Sequence, residues 1–226
     1  MKYTKPLIAS AILIGLMLAA SAWAWPQLGD QPVAIHFGLD GRPNGYAPKT
    51  EAVLAMPGTA LLLSVLFTVL PVIMPAKARL ERSWAAFSMI WISILTLLLA
   101  VHLAMLALAV GLPVNITRVM AIGLGAFIAI LGNLLGKVRY NYVLGVRTPW
   151  TLSSERVWDR THRFAGRVMA VAGLLMVAAG VAAPAAFGSW LGVVVLVGAI
   201  GPAIAAVVYS YLESRREERG LQGQIE

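Results

Sequence analysis

Six long apolar runs divide the chain, separated by two polar segments and several short connections. The runs are Leu7 to Trp25, Ala52 to Met74, Trp84 to about Val110, about Ile116 to Gly136, Phe164 to Phe187, and Trp190 to Leu212. About 20 apolar residues suffice to cross a bilayer as a helix. Lipid offers no partner to a free backbone group, so each run is expected to be helical. The pattern predicts an all-α, polytopic membrane protein of about six spans. Pro57, Pro71, Pro113, Pro184 and Pro202 fall mostly near the ends of the runs, where breaks are tolerated.

The first run also has features of a signal peptide. Lys2 and Lys5 precede it, and Ala22-Trp23-Ala24 resembles a small-residue cleavage site. The run is longer than the usual h-region of about 7–15 residues, and its two tryptophans suit an interface belt. A retained span is therefore expected.

The polar remainder is sparse. Apolar residues make up 59% of the 226 residues and charged residues 12%, against about 25% charged in soluble domains. No Asp or Glu occurs between Glu81 and Glu155. Cysteine is absent, which excludes disulfides, thiolate chemistry and Cys-ligated zinc. The net charge of +8 fits basic cytoplasmic loops better than nucleic-acid binding, and no direct nucleic-acid contact is expected. With the N-terminus inside, fifteen of the eighteen Lys and Arg residues fall on the inner side. They include Lys77, Arg79 and Arg82 in the first inner loop; only Arg42, Lys49 and Arg118 remain outside. Inversion would reverse that ratio, so both termini are expected in the cytoplasm. The expected organisation is an N-terminal membrane domain over 1–75 with an outer loop over 26–51. A second membrane domain over 84–212, with an inner loop over 137–163, and a cytoplasmic tail over 213–226 follow. No internal repeat or low-complexity segment is visible.

Each of the two polar segments could carry function. In the outer loop Asp40-Gly41 and Asn44-Gly45 are turn dipeptides, and Val33 to Phe37 can form an extended piece. Val33, Ile35, Phe37 and Tyr46 give it the apolar content of an ordered cap. His36 is its titratable group, for which a hydrogen bond within the loop is expected. Asp40 and Asn44 lack the further carboxylates and closing Glu of a calcium loop. In the inner segment Gly132 and Gly136 form a small-xxx-small pair, and Asn133 between them is expected to bond across to another helix. Thr148-Pro149 breaks the chain, Ser153 can cap a new helix, and Glu155 would lie in its first turn. Trp158, His162 and Ala165 would share one face of that helix, with Arg156, Arg160, Arg163 and Arg167 on others. Asp159 can pair with Arg163 at i, i+4.

Gly132-Asn133, Lys137, Asn141, Gly145, the string Arg147 to Leu152 (RTPWTL), Val157-Trp158 and Thr161-His162 resemble the signature of the SdpI family. The outer loop, with His36-Phe37, Asp40-Gly41, Asn44-Gly45 and Lys49, resembles a domain often found ahead of that signature. Tyr140 stands where the family often has Pro, so the loop is expected to enter its turn differently. The resemblance implies a six-span inner-membrane protein of bacteria. It also implies protection against a secreted peptide toxin, and a relay of toxin binding to a cytoplasmic transcriptional repressor.

An enzyme needs a positioned acid, base, nucleophile or metal. Glu155, Asp159 and His162 come with no singled-out nucleophile, and His36 and His162 lie on opposite sides of the membrane. Enzymatic activity is not expected, nor a cofactor or metal. Coupled transport of a small solute or lipid is an alternative, but no run carries an interior Asp or Glu. His102 and Asn133 are the polar exceptions, both expected to serve packing. A toxin-independent envelope-stress role is a further alternative. The leading expectation is an immunity or sensor protein, embedded among membrane lipids, with two sets of binding residues. The outer set is His36, Asp40, Asn44 and Lys49. The inner set is Asn133, Lys137, Asn141, Arg147, Thr148, Trp150, Trp158 and His162, with Arg147 the first choice for a bidentate contact.

Overall fold

The computed structural model describes residues 2–73, 83–141, 144–184 and 188–222. Lys77, Arg79, Arg82, Met74 and Phe187 lie outside the described residues. In chain order the elements are α1 (Thr4–Ala24), a 3-10 turn (Trp25–Gln27), β1 (Val33–Phe37) and β2 (Pro43–Ala47). Then come α2 (Lys49–Ile73), α3 (Trp84–Ala109), α4 (Ile116–Leu135), the short α5 (Pro149–Ser153), α6 (Glu155–Ala182) and α7 (Gly188–Gln222). Six of these helices are long and apolar enough to cross a membrane, and the chain is a multi-pass membrane protein. Many of their large apolar side chains point outward, as in Leu62 and Val181, because lipid is as apolar as a protein core.

Helices α1, α2 and α3 pack together, as do α4, α6 and α7, and the two groups meet along α3 and α4. In the first group Met17, Ala60, Phe87, Trp91 and Leu95 form a buried cluster. Above it lies a polar node. Pro57 sits inside α2 and has no N–H, so the carbonyl of Val53 loses its helical donor. Ser21 of α1 donates to that carbonyl at 2.7 Å, and its hydroxyl meets Nε2 of His102 on α3 at 2.9 Å. With the serine hydrogen committed to Val53, the imidazole must donate, which assigns its proton to Nε2. His102 is fully buried, and the bonds of its Nε2 to Ser21 and Met17 tie α3 to α1. Pro202 lies well inside α7 rather than near an end.

The seam between α4 and α6 is made by small residues. Gly125 and Gly132 of α4 face Gly173 and Gly166 of α6 in reversed order, so the helices run antiparallel. A Cβ added at Gly132 would lie 2.6 Å from the Gly166 carbonyl oxygen, and one at Gly166 would lie 2.7 Å from that of Gly132. Backbones this close gain dispersion and weak Cα–H contacts that side chains would prevent. Gly136, the other half of the expected pair, is open to its surroundings. Asn133 lies about 100° round the helix from Gly132 and is exposed, with no bond to another helix among the described residues. The seam excludes it because Gly132 occupies the contact face.

Between α1 and α2, β1 and β2 pair antiparallel as a hairpin, with bulges around His36. Its turn rests on the second helix group: Gly41, at φ +76°, lies on Thr117 of α4, and Leu39 packs against Gly192 of α7. Phe37 packs with Met105 and Ile116. Arg118 reaches from α4 to the carbonyl of Ala183 past the end of α6, at 2.5 Å.

Gly132→Ala is expected to lower the thermal unfolding midpoint in detergent by several degrees, because its methyl has nowhere to go. Gly15→Ala, where nothing lies within 4 Å, should leave the midpoint unchanged or raise it through helix propensity, worth up to about 1 kcal/mol.

Candidate functional site

Between α4 and α5 the described residues of the expected inner loop are non-helical, and side chains bond several of their backbone groups. Asn141, fully buried, donates through Nδ2 to the Arg139 carbonyl at 2.7 Å and accepts the Leu144 N–H at 2.7 Å. Trp158 is also fully buried, and its indole N–H donates to the Val138 carbonyl at 3.1 Å. It is a core residue of the loop rather than an interfacial anchor. His162 stacks on Trp158 with ring centroids 3.9 Å apart. Its Nε2 accepts the Val146 N–H at 3.0 Å, and its Nδ1 lies 2.8 Å from the Trp158 carbonyl. The network therefore assigns the proton to Nδ1. Both ring nitrogens are engaged, leaving none for a metal. Trp158, His162 and Ala165 do share one buried face.

Gly145 makes this closure possible. It adopts φ +119°, and any Cβ there would collide with His162. Tyr140 turns the entry of the loop inward: its hydroxyl donates to the Leu152 carbonyl at 2.7 Å, and its ring meets Trp158 edge-on. Thr148 and Thr151 form a reciprocal capping box on α5, with Pro149 at its first turn. Thr148 also donates to Ser210 of α7 at 3.1 Å. Ser153 ends α5 instead of capping the next helix. The N-cap of α6 is Ser154, whose hydroxyl accepts the Val157 N–H at 3.2 Å.

Asn141, Trp158 and His162 thus bond backbone groups of the loop, and Thr148 bonds both the loop and α7. Lys137 and Arg147 remain exposed and Trp150 is half-buried, edge-on to Tyr211 of α7. Asp159 forms no ion pair with Arg163 among the described residues. Arg160 instead bonds the buried carboxylate of Glu213 on α7. Sequence spacing along one helix could not reveal that partner, because it comes from the packing of α6 on α7.

The four outer residues hold the hairpin in shape. His36 Nδ1 lies 2.5 Å from the Asn44 side-chain oxygen, as a bond within the loop. Asp40 accepts the Arg42 backbone N–H at 3.1 Å and lies 3.6 Å from the Arg42 guanidinium. Lys49 donates to the Leu28 carbonyl at 2.8 Å and sits 4.3 Å above the Trp25 ring centroid. Beneath the hairpin is a cavity of about 310 Å³, walled by Ile35, Phe37, Met56, Met105, Met120 and Val195. It joins the hairpin to α2, α3, α4 and α7. No periodicity in the sequence announces it, since its walls come from five elements. Among the described residues no group of three or more His, Asp or Glu could hold a metal.

Residues 137–210 match the SdpI/YfhL protein family, and residues 12–61 match a domain of unknown function (DUF1648). The chain is 31% identical over 130 residues to Immunity protein SdpI of Bacillus subtilis (strain 168), covering 57% of this chain. The chain matches 63% of that relative's length. No solved structure matches.

Gly145→Ala is expected to destabilise the loop by about 1–3 kcal/mol, the usual cost of a strained backbone position. Limited trypsin digestion should then cut after Arg147 faster than in the unaltered protein. Gly136→Ala, with open space around it, should leave the digestion rate unchanged.

Proposed function

We propose, from the premise that an SdpI-family segment here follows a DUF1648 segment, that this protein confers immunity to an extracytoplasmic peptide toxin. The likeness to a protein named for immunity carries this reading. The geometry supports it with an outward cavity whose walls come from both segments and from α3 and α4 between them. Its lining is apolar and includes three methionines, Met56, Met105 and Met120. Methionine adapts to irregular partners, and a cavity of about this volume is at the lower end of those that hold small ligands. An apolar side chain of the toxin would enter beneath the hairpin, with His36, Asn44, Asp40 and Lys49 holding the rim in place.

Both termini and the loop over 137–163 would lie in the cytoplasm of a bacterial inner membrane, as the distribution of Lys and Arg directs. A relay inward is a second reading, supported by the exposed Arg147 and the half-buried Trp150 at the junction of α5 and α7. Arg147 offers a planar fork to a carboxylate and Trp150 adds apolar area beside it. A cytoplasmic transcriptional repressor with an acidic face would be held there. Asn133 and Lys137 extend the same surface.

In toxin-challenged cells, Met120→Trp is expected to lower the protective toxin dose by about tenfold or more, by filling the cavity (a loss of roughly 1.4 kcal/mol or more). Arg147→Ala should leave protection intact and abolish only repressor retention at the membrane. Killing of cells that express the unaltered chain in the membrane would refute immunity.

The absence of native cysteine allows single-cysteine labelling in intact cells. Asp40→Cys should react with a membrane-impermeant maleimide and Arg219→Cys should not. The reverse pattern would invert the proposed topology.

A further inference from the structure

The basic ends of α6 and α7 form a cleft of about 230 Å³ that neither reading above uses. Arg160, Arg163 and Arg167 line it from α6, and Glu213 and Arg216 from α7. Phe164 and Tyr209, stacked with centroids 4.1 Å apart, also line it. Its depth is fixed by the charges themselves. Arg167 is the last charge on α6 before that helix turns wholly apolar, and Glu213 is the first on α7 after its apolar stretch. The cleft therefore lies where hydrocarbon gives way to headgroups.

Its charges do not balance internally. Glu213 is buried and is engaged by Arg160 and Arg216. Arg163 and Arg167 are exposed and have no ion pair or hydrogen bond among the described residues. Two guanidiniums one helical turn apart thus converge on a cleft whose carboxylate is already taken. Each guanidinium presents parallel donors that match two phosphate oxygens. The cleft is smaller than those that hold drug-sized ligands, which suits a phosphate and excludes a protein face. The aromatic pair gives a wall of the kind found at membrane interfaces.

We infer that the cleft between α6 and α7 binds the headgroup phosphate of an anionic phospholipid, held by Arg163 and Arg167. Arg160 and Glu213 position the cleft by tying α6 to α7. The lipid's acyl chains would lie along the exposed apolar faces of the two helices. Basic clefts between helices at headgroup depth are a general means of anionic lipid recognition.

The test is native mass spectrometry of the full chain, released from phosphatidylcholine vesicles that contain phosphatidylglycerol. The unaltered chain is expected to retain phosphatidylglycerol in preference to phosphatidylcholine. That preference should fall roughly tenfold or more in R163Q/R167Q, at the strength usual for interfacial cations. R156Q/R219Q removes the same charge from outside the cleft and should keep the preference. Should the double cleft variant fold poorly, R163Q and R167Q singly should each lose roughly fivefold. Equal losses in the cleft and control variants would assign the preference to net surface charge and overturn the site. An unaltered chain with no preference would overturn it too, as would displacement of the lipid by inorganic phosphate.

Discussion

In a hydrocarbon solvent a backbone N–H or C=O must find its partner within the protein, and much of this structure follows from that constraint. At three places where the helical ladder ends or is interrupted, a side chain takes the open carbonyl. Ser21 takes the Val53 carbonyl that Pro57 leaves open, and Arg118 takes the carbonyl of Ala183. Lys49 takes the carbonyl of Leu28 where the chain leaves α1 for the hairpin. Each such bond contributes only about 1 kcal/mol net, yet leaving a buried group unpaired costs more. The interruptions thereby fix which helices must adjoin.

The inner loop carries the same logic further. Between α4 and α5 the described chain leaves helix, and Asn141, Thr151, Trp158 and His162 supply partners to its backbone. The residues that make the family signature specific are thus largely the ones that hold irregular backbone at the membrane border. This gives a physical reason for their spacing. His162 lies one helical turn beyond Trp158, so that the two rings stack, and it reaches back to the loop at Val146. Gly145 has no side chain because the imidazole occupies that space.

Two levels of packing then divide the labour. The glycine seam holds α4 against α6 through backbone contact, independent of any polar bond. The hairpin joins the two helix groups, through Phe37 against Met105 of α3 and Gly41 on Thr117 of α4. The apolar cavity is what remains between the hairpin and the helices that support it. The basic cleft is its counterpart at the other end of the spans, where α6 and α7 carry more cations than Glu213 can neutralise.

Hydrophobic run length determined the number of spans and nearly their limits, because membrane thickness imposes one length on every crossing helix. Strand β1 matches the expected Val33 to Phe37, since alternation and turn dipeptides are local signals. Local signals were weaker at helix starts, where Ser153 and Ser154 stand side by side and the chain's path alone decides which one caps. The sequence singled out Trp158 and His162, whereas their burial and their mutual stacking belong to the tertiary structure. So do the partner of His102, the exposure of Asn133, and the pairing of Arg160 with Glu213 in place of Asp159 with Arg163. Periodicity specifies what each helix presents to its own neighbouring turns. Which other helix meets that face depends on glycine placement and on the backbone groups that prolines and loops leave unpaired. Those are properties of the assembled bundle.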